Sequence, residues 1–167
     1  MPNAEDIAQD LIQIALQEEQ LQFAAFDEVT AWQLGSVLYA FATERRLGIV
    51  IDVRSSDRQL FYAALPGTTP DNPNWVRRKS NVAFRFHRSS YAVGLETAAK
   101  QSTLLERYGL PDSDYACHGG CFPIRVRGTG VVAAVTVSGL PQRADHELAV
   151  EALCGLLGQD YESLKLA

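Results

Sequence analysis

The sequence predicts an α/β fold of the α+β type, with helices flanking a largely antiparallel sheet of about five strands. Three observations predict it. Apolar residues recur at helical spacing in several separate stretches. Segments rich in Ile, Val, Phe and Tyr come in two adjacent pairs, each joined by a short polar or glycine-containing turn. No helical stretch intervenes within either pair, whereas strands of a parallel pair need a long crossover between them.

The elements follow in order. Residues 4–20 place Ile7, Leu11, Ile14 and Ala15 along one stripe, with Asp6, Gln9, Gln13 and Gln17 around the rest of the wheel, so an amphipathic helix is expected. Residues 22–26 read as a short strand. Thr30-x-x-Gln33 has the form of a capping box and predicts a second helix from Thr30. Leu34, Val37, Leu38 and Phe41 make its buried face, and Gly48 its end. Residues 48–53 and 59–65 then form a hairpin around the polar segment 54–58. The turn-rich segment 66–73 leads into a third helix, with Asn72 as its N-cap and Pro73 at its first position. That helix continues through 75–88, with Val76, Lys79, Val82, Ala83 and Phe86 on one side, and a further helical stretch covers 91–108. Residues 122–127 and 129–137 flank Gly128 as a second hairpin. Pro141 opens a final helix carrying Leu148, Ala152, Leu153, Leu156 and Leu157 along one flank.

At 167 residues and 18.3 kDa, with no internal repeat or linker, the chain is expected to be a single domain over 1–167. Its net charge of −5 and pI near 5.2 give no positive field to attract nucleic acid or an anionic membrane. The longest apolar runs, such as 131–137, are too short to span a bilayer, so no membrane partner is expected. Residues 1–10 carry acids and lack the basic and apolar pattern of a signal peptide. A cytoplasmic location is therefore expected, with Cys117, Cys121 and Cys154 as reduced thiols.

Several blocks, taken jointly, resemble a known family. They are Leu65-Pro66-Gly67-Thr68-Thr69-Pro70-Asp71-Asn72, Trp75-Val76-Arg77-Arg78-Lys79 and Ser89-Ser90-Tyr91-Ala92-Val93-Gly94, followed by His118-Gly119-Gly120-Cys121-Phe122-Pro123-Ile124 and Thr136-Val137-Ser138-Gly139-Leu140-Pro141-Gln142. In this order they are similar to a DUF336-like branch of the haem-degrading-domain superfamily, which also includes HbpS-like and GlcG-like proteins. The resemblance implies a profilin-like α/β/α layer fold and a homo-oligomer, either a dimer or a larger ring. It also implies haem as a candidate ligand, because some relatives bind or degrade it. Members of that branch usually carry Ser at the position of Cys121.

Arg77, Arg78, Lys79, Arg85 and Arg88 supply five of the 15 basic residues within one segment, and no acid occurs between Asp71 and Glu96. Such a cluster can bind the carboxylate or phosphate of a small anionic ligand, or form a solvated or ion-paired surface. A basic docking face for another protein is the alternative it supports. Cys117-His118-Gly119-Gly120-Cys121 lacks the second Cys/His pair that would close a zinc tetrahedron, so no metal centre is expected. His118 is instead a candidate ligand-binding residue, and Gly119 and Gly120 permit close backbone approach. Ser138 precedes a strand-to-helix turn whose free N–H groups suit an anion. Asp145 and His146, in the first turns of the last helix, read as capping and solubility residues. A Ser138/His118/Asp145 triad can be written on paper but lacks a nucleophile-elbow pattern, so no reaction is assigned. The candidate ligand site is accordingly Trp75, Arg78, Lys79, His118, Gly119, Gly120 and Ser138.

Overall fold

In the computed structural model, which describes residues 3–167, the first amphipathic stretch forms helix α1 (Ala4–Gln20). Asn3 caps it: its side chain accepts from the Asp6 amide while the Asp6 carboxylate accepts from the Asn3 amide. A two-residue strand, β1 (Gln22–Phe23), follows, shorter than the 22–26 expected. Helix α2 (Glu28–Glu44) starts before Thr30 because Asp27, and not Thr30, is its N-cap, with a carboxylate oxygen 2.9 Å from the Thr30 amide. A carboxylate also meets the positive end of the helix dipole, which a threonine hydroxyl does not. The helix stops at Glu44, before Gly48, as Arg46 turns left-handed with φ 54°. Gly48 serves a different end: a Cβ there would lie 3.1 Å from the Pro66 carbonyl oxygen.

The first hairpin is β2 (Val50–Arg54) and β3 (Gln59–Ala64). Helix α3 (Asp71–Phe86) begins ahead of the expected Asn72 cap, since Pro70 already has a helical φ of −58°. Asn72 lies inside the first turn and accepts from the Thr69 amide at 2.8 Å. Pro73 is tolerated there because the first-turn amides have no intrahelical acceptor. The expected stretch 91–108 divides into α4 (Ser90–Ala99) and α5 (Leu104–Tyr108). Gln101 turns left-handed between them, and Thr103 with Glu106 forms a fresh capping box. The second hairpin, β4 (Cys121–Val126) and β5 (Gly130–Ser138), leads to α6 (Gln142–Leu157). A one-turn helix, α7 (Tyr161–Leu164), is too short to show a period and was not anticipated.

Among the described residues the sheet has five strands in the order β1-β4-β5-β2-β3. The β2–β3, β2–β5 and β4–β5 pairs are antiparallel, while β1 runs parallel to β4, which makes the sheet mixed. Side chains alternate across it. Ile51, Val53, Val135, Val137, Phe122 and Ile124 face α2 and α6 and form the main core. The opposite face carries Cys121 and Ala134 against Ala83 of α3. That face also holds the polar row Asp52, Thr136 and Cys121, and it is the face on which the candidate site is built.

Candidate functional site

The start of α3, the loop before β4 and the β5–α6 turn converge at the C-terminal end of β5. They enclose a cleft of about 250 Å³ walled by Trp75 and Asn72, His118, Ser138 and Gln142. Its floor is an ion pair. Lys79, 3% exposed, points inward from α3 and donates to Asp145 Oδ2 at 3.0 Å and to the Val137 carbonyl at 3.3 Å. Asp145, 2% exposed, also accepts from the Leu140 amide at 2.9 Å and the Gly139 amide at 3.4 Å. Burial holds the Asp145 carboxyl above its ordinary pKa, opposed by the Lys79 charge and by the two amides. Gly120 makes this packing feasible. At its φ of 132° an added Cβ would sit 2.3 Å from the Val137 carbonyl oxygen and 2.8 Å from Lys79 Nζ.

The rim is aromatic. Trp75 and His118 meet edge-to-face with centroids 5.2 Å apart, and the Arg78 guanidinium lies 4.6 Å over the Trp75 ring. Arg78 Nε donates to the Asp112 carbonyl at 2.7 Å, and Trp75 Nε1 donates to Asp71 at 2.9 Å, so both side chains are held from behind. Desolvation, then the positive charges of Lys79 and Arg78, push the His118 imidazole below its ordinary pKa. It is therefore predominantly neutral at pH 7 and can offer a nitrogen lone pair. The loop carrying it is fixed by the Gly119 amide, which donates to Gln142 Oε1 at 3.2 Å, and by Ser90 Oγ, which donates to the His118 carbonyl at 2.6 Å.

Trp75, Lys79, His118 and Ser138 thus line one cleft, with Arg78 stacked behind Trp75 and Gly119 and Gly120 as close-packed backbone. The basic run is mostly satisfied within the chain. Arg77 pairs with Asp114 at 3.0 Å, Lys79 with Asp145, and Arg88 with Glu96 and Glu18. This removes most of the support for a basic docking face. Asp145 and His146 are corrected from surface capping residues to buried ones. Asp145 does not cap α6, whose N-terminus has no side-chain cap; it accepts from the Gly139 and Leu140 amides of the preceding turn and completes the cleft. The signal that could have found it is a carboxylate shortly after a Ser-Gly turn, in reach of a lysine on the apolar side of its helix. Asp145 bonds Lys79, Leu140 and Gly139, not His118, so the paper triad is not assembled.

The two cysteines flanking His118 point elsewhere. Cys121 is fully buried and its thiol is pushed up to about 12, chiefly by burial, while burial also raises Cys117. Neither is a thiolate near neutral pH. Among the described residues no three His, Cys, Asp or Glu are arranged to hold a metal ion, and no helix is long and apolar enough to cross a membrane.

The fold and cleft together define an α/β/α sandwich with a small polar cleft at a strand-to-helix turn, and sequence comparison places the chain more closely. The model of the family "Haem degrading protein HbpS-like" matches residues 26–154. The chain is 61% identical over 160 residues to a UPF0303 protein of Acidobacterium capsulatum, covering 96% of this chain and 97% of the relative. It is 60% identical over 161 residues to a UPF0303 protein of Rhizobium meliloti, covering 96% and 98%. The chain belongs to the HbpS-like haem-degrading protein family. Among solved structures, the Ybr137w protein superposes with a TM-score of 0.83 at 29% identity, over 92% of this chain and 89% of that one. HbpS matches with a TM-score of 0.63 at 19% identity, over 83% and 94%. A PduOC:Heme complex matches with a TM-score of 0.64 at 13% identity, over 78% and 92%. The last two establish the shared fold alone.

Proposed function

We propose that this chain is a single-domain, homo-oligomeric small-ligand-binding protein whose site is the Trp75–His118 cleft, and that its ligand carries an anionic group, with haem as the first candidate. The observation that carries the reading is the convergence of a neutral imidazole and an indole over a buried lysine. The donor set fits haem. His118 would supply a nitrogen to the iron, and Arg78, at the rim over Trp75, would supply positive potential for a propionate, the Lys79 charge being taken up by Asp145. Haem, when bound, brings the iron redox chemistry; the chain's own residues position it and tune its polarity. The volume, about 250 Å³, falls just below the range of roughly 300–1,000 Å³ that encloses drug-sized ligands. A tetrapyrrole would therefore be gripped at one edge and project into solvent, whereas a smaller carboxylate would fit inside. Membership of the HbpS-like family and a fold shared with a haem-bound neighbour support the haem reading.

Titration with hemin, followed at the Soret band, tests it. A saturable red shift at one haem per chain is expected, abolished in His118→Ala. An unshifted spectrum, the same for wild type and variant, rejects haem. Thermal-shift screening of small carboxylates and phosphates against wild type and His118→Ala then asks whether the cleft takes a smaller anion.

A further inference from the structure

The two edges of the sheet are unlike. β1 closes one edge with two residues, whereas β3 leaves six residues at the other. Long edge strands are normally guarded by lysine, proline or an inward charge against pairing with another strand. Gln59-Leu60-Phe61-Tyr62-Ala63-Ala64 has none of these. Beside it lies α2, which has no charged residue between Glu28 and Glu44. Its outer face carries Val29, Trp32 and Tyr39 at 65%, 59% and 50% exposure, while Tyr62 on β3, paired with Asp52, turns to the other face of the sheet. Trp32 packs edge-to-face on Phe61 at 5.0 Å, so the helix stripe and the strand edge form one continuous surface. A groove of about 450 Å³ continues it between Tyr39 and the Ala64–Pro66 end of β3.

We propose that this surface is a two-fold interface between two copies of the chain, with β3 pairing antiparallel to its counterpart and the two α2 stripes packing side by side. It names the contact behind the homo-oligomer part of the proposed function and rests on that part alone; the ligand cleft lies beyond α3 and is untouched by it. Two arguments select a second copy as the occupant. First, the charges at the ends of the surface are self-complementary. Glu28 and Arg58, exposed at the start of α2 and of β3, pair with each other, and Glu44 and Arg46 lie exposed at the far end. A two-fold axis near Ser36 brings Glu28 toward the partner's Arg46 and Arg58 toward the partner's Glu44, as an isologous contact requires. Second, the area is of the right order. Val29, Trp32 and Tyr39 offer roughly 300 Å², over a third of the ~800 Å² each partner gives to a standard interface, and the strand edge and the groove extend that surface.

Light scattering coupled to size exclusion tests this at about 100 μM protein. Wild type is expected at twice the chain mass or a multiple of it. Trp32→Glu combined with Tyr39→Glu is expected to halve that mass, while Leu105→Glu, an equally exposed apolar site on another face, leaves it unchanged. Ser36→Cys, which does not threaten folding, is expected to give a covalent dimer on mild oxidation that wild type does not. A monomeric wild type, a mass that survives the double substitution with circular dichroism intact, an equal loss in Leu105→Glu, or no cross-link through residue 36 would each overturn the interface. Hemin titration of the same variants keeps the two readings apart: the interface variants change mass without losing the ligand response, and His118→Ala does the reverse.

Discussion

Asp145 and His146 are neighbours in the first turns of α6, both are buried, and they do opposite things. Asp145 faces α3, where it is ion-paired with Lys79 and holds two backbone amides at the floor of the cleft. His146 faces α1, where its Nε2 bonds Gln17 Oε1 at 2.8 Å beneath Tyr91 and Phe122. Gln17 in turn donates to the Leu164 carbonyl at 2.8 Å, so the second cluster clasps α7 and the chain end to the body of the molecule. One region keeps a charge in a low-dielectric setting and opens to solvent through the cleft. The other keeps its imidazole neutral, with a pKa pushed down to about 3 by burial and by Arg143. The contrast shows what burial asks of a polar side chain. A charge needs an opposite charge and amides, and an imidazole can be held neutral and used as a strut.

The largest expected effect lies at the floor. Lys79→Met strands the Asp145 carboxylate, and the loss of one partner of a buried pair costs about 3–5 kcal/mol. Urea unfolding is expected to show that loss near pH 7, and Lys79→Met with Asp145→Leu is expected to recover much of it. If the single variant is as stable as wild type, the pair does not hold the floor.

The pH response separates the two regions further, because their signs are opposed. Asp145 has a raised folded pKa, so its contribution to stability is fully present below the unfolded carboxyl value and is lost as pH rises through the folded one. His146 has a depressed folded pKa of about 3, so below about pH 6.5 the unfolded chain takes up a proton that the native state refuses. Stability therefore falls on acidification, by about 2 kcal/mol from this group at pH 5. His146→Leu is expected to be less stable than wild type at pH 7, since it strands Gln17, yet to lose less between pH 7 and pH 5. Parallel stability curves across that interval would show that His146 does not titrate as described.

The smallest expected effect is at the rim. His118 is exposed, and His118→Ala is expected to change unfolding free energy by no more than about 0.5 kcal/mol, as surface substitutions generally do. A loss that small makes the rim dispensable for folding and sharpens the contrast with the floor; a large loss of stability would place His118 among the struts.

Much of this was legible in the chain because it depends on local order. The period of Ile7, Leu11 and Ile14 and the paired β-segments around residues 54–58 and Gly128 are all set by neighbours in sequence. The basic run misled because its residues are chemically alike and structurally different. Arg77 pairs with exposed Asp114, Arg78 stacks on Trp75, and Lys79 turns inward, a division made by the helical angle of each residue relative to the sheet. Element ends were misplaced where two residues competed for the same cap, as Asp27 did with Thr30, and where a proline began a helix early, as Pro70 did before Asn72.

By itself, then, the sequence determined the long helices, the two hairpins and the absence of a basic field, since periodicity, turn chemistry and side-chain type act over a few residues. Only the tertiary structure decided that β1 runs parallel to β4, that Lys79 meets Asp145, and that His118 stands over them beside Trp75. These pairings join segments far apart along the chain. They form because packing α3 and α6 on opposite faces of one sheet brings Lys79 and Asp145 together at the end of β5, where each charge is the other's compensation for leaving water.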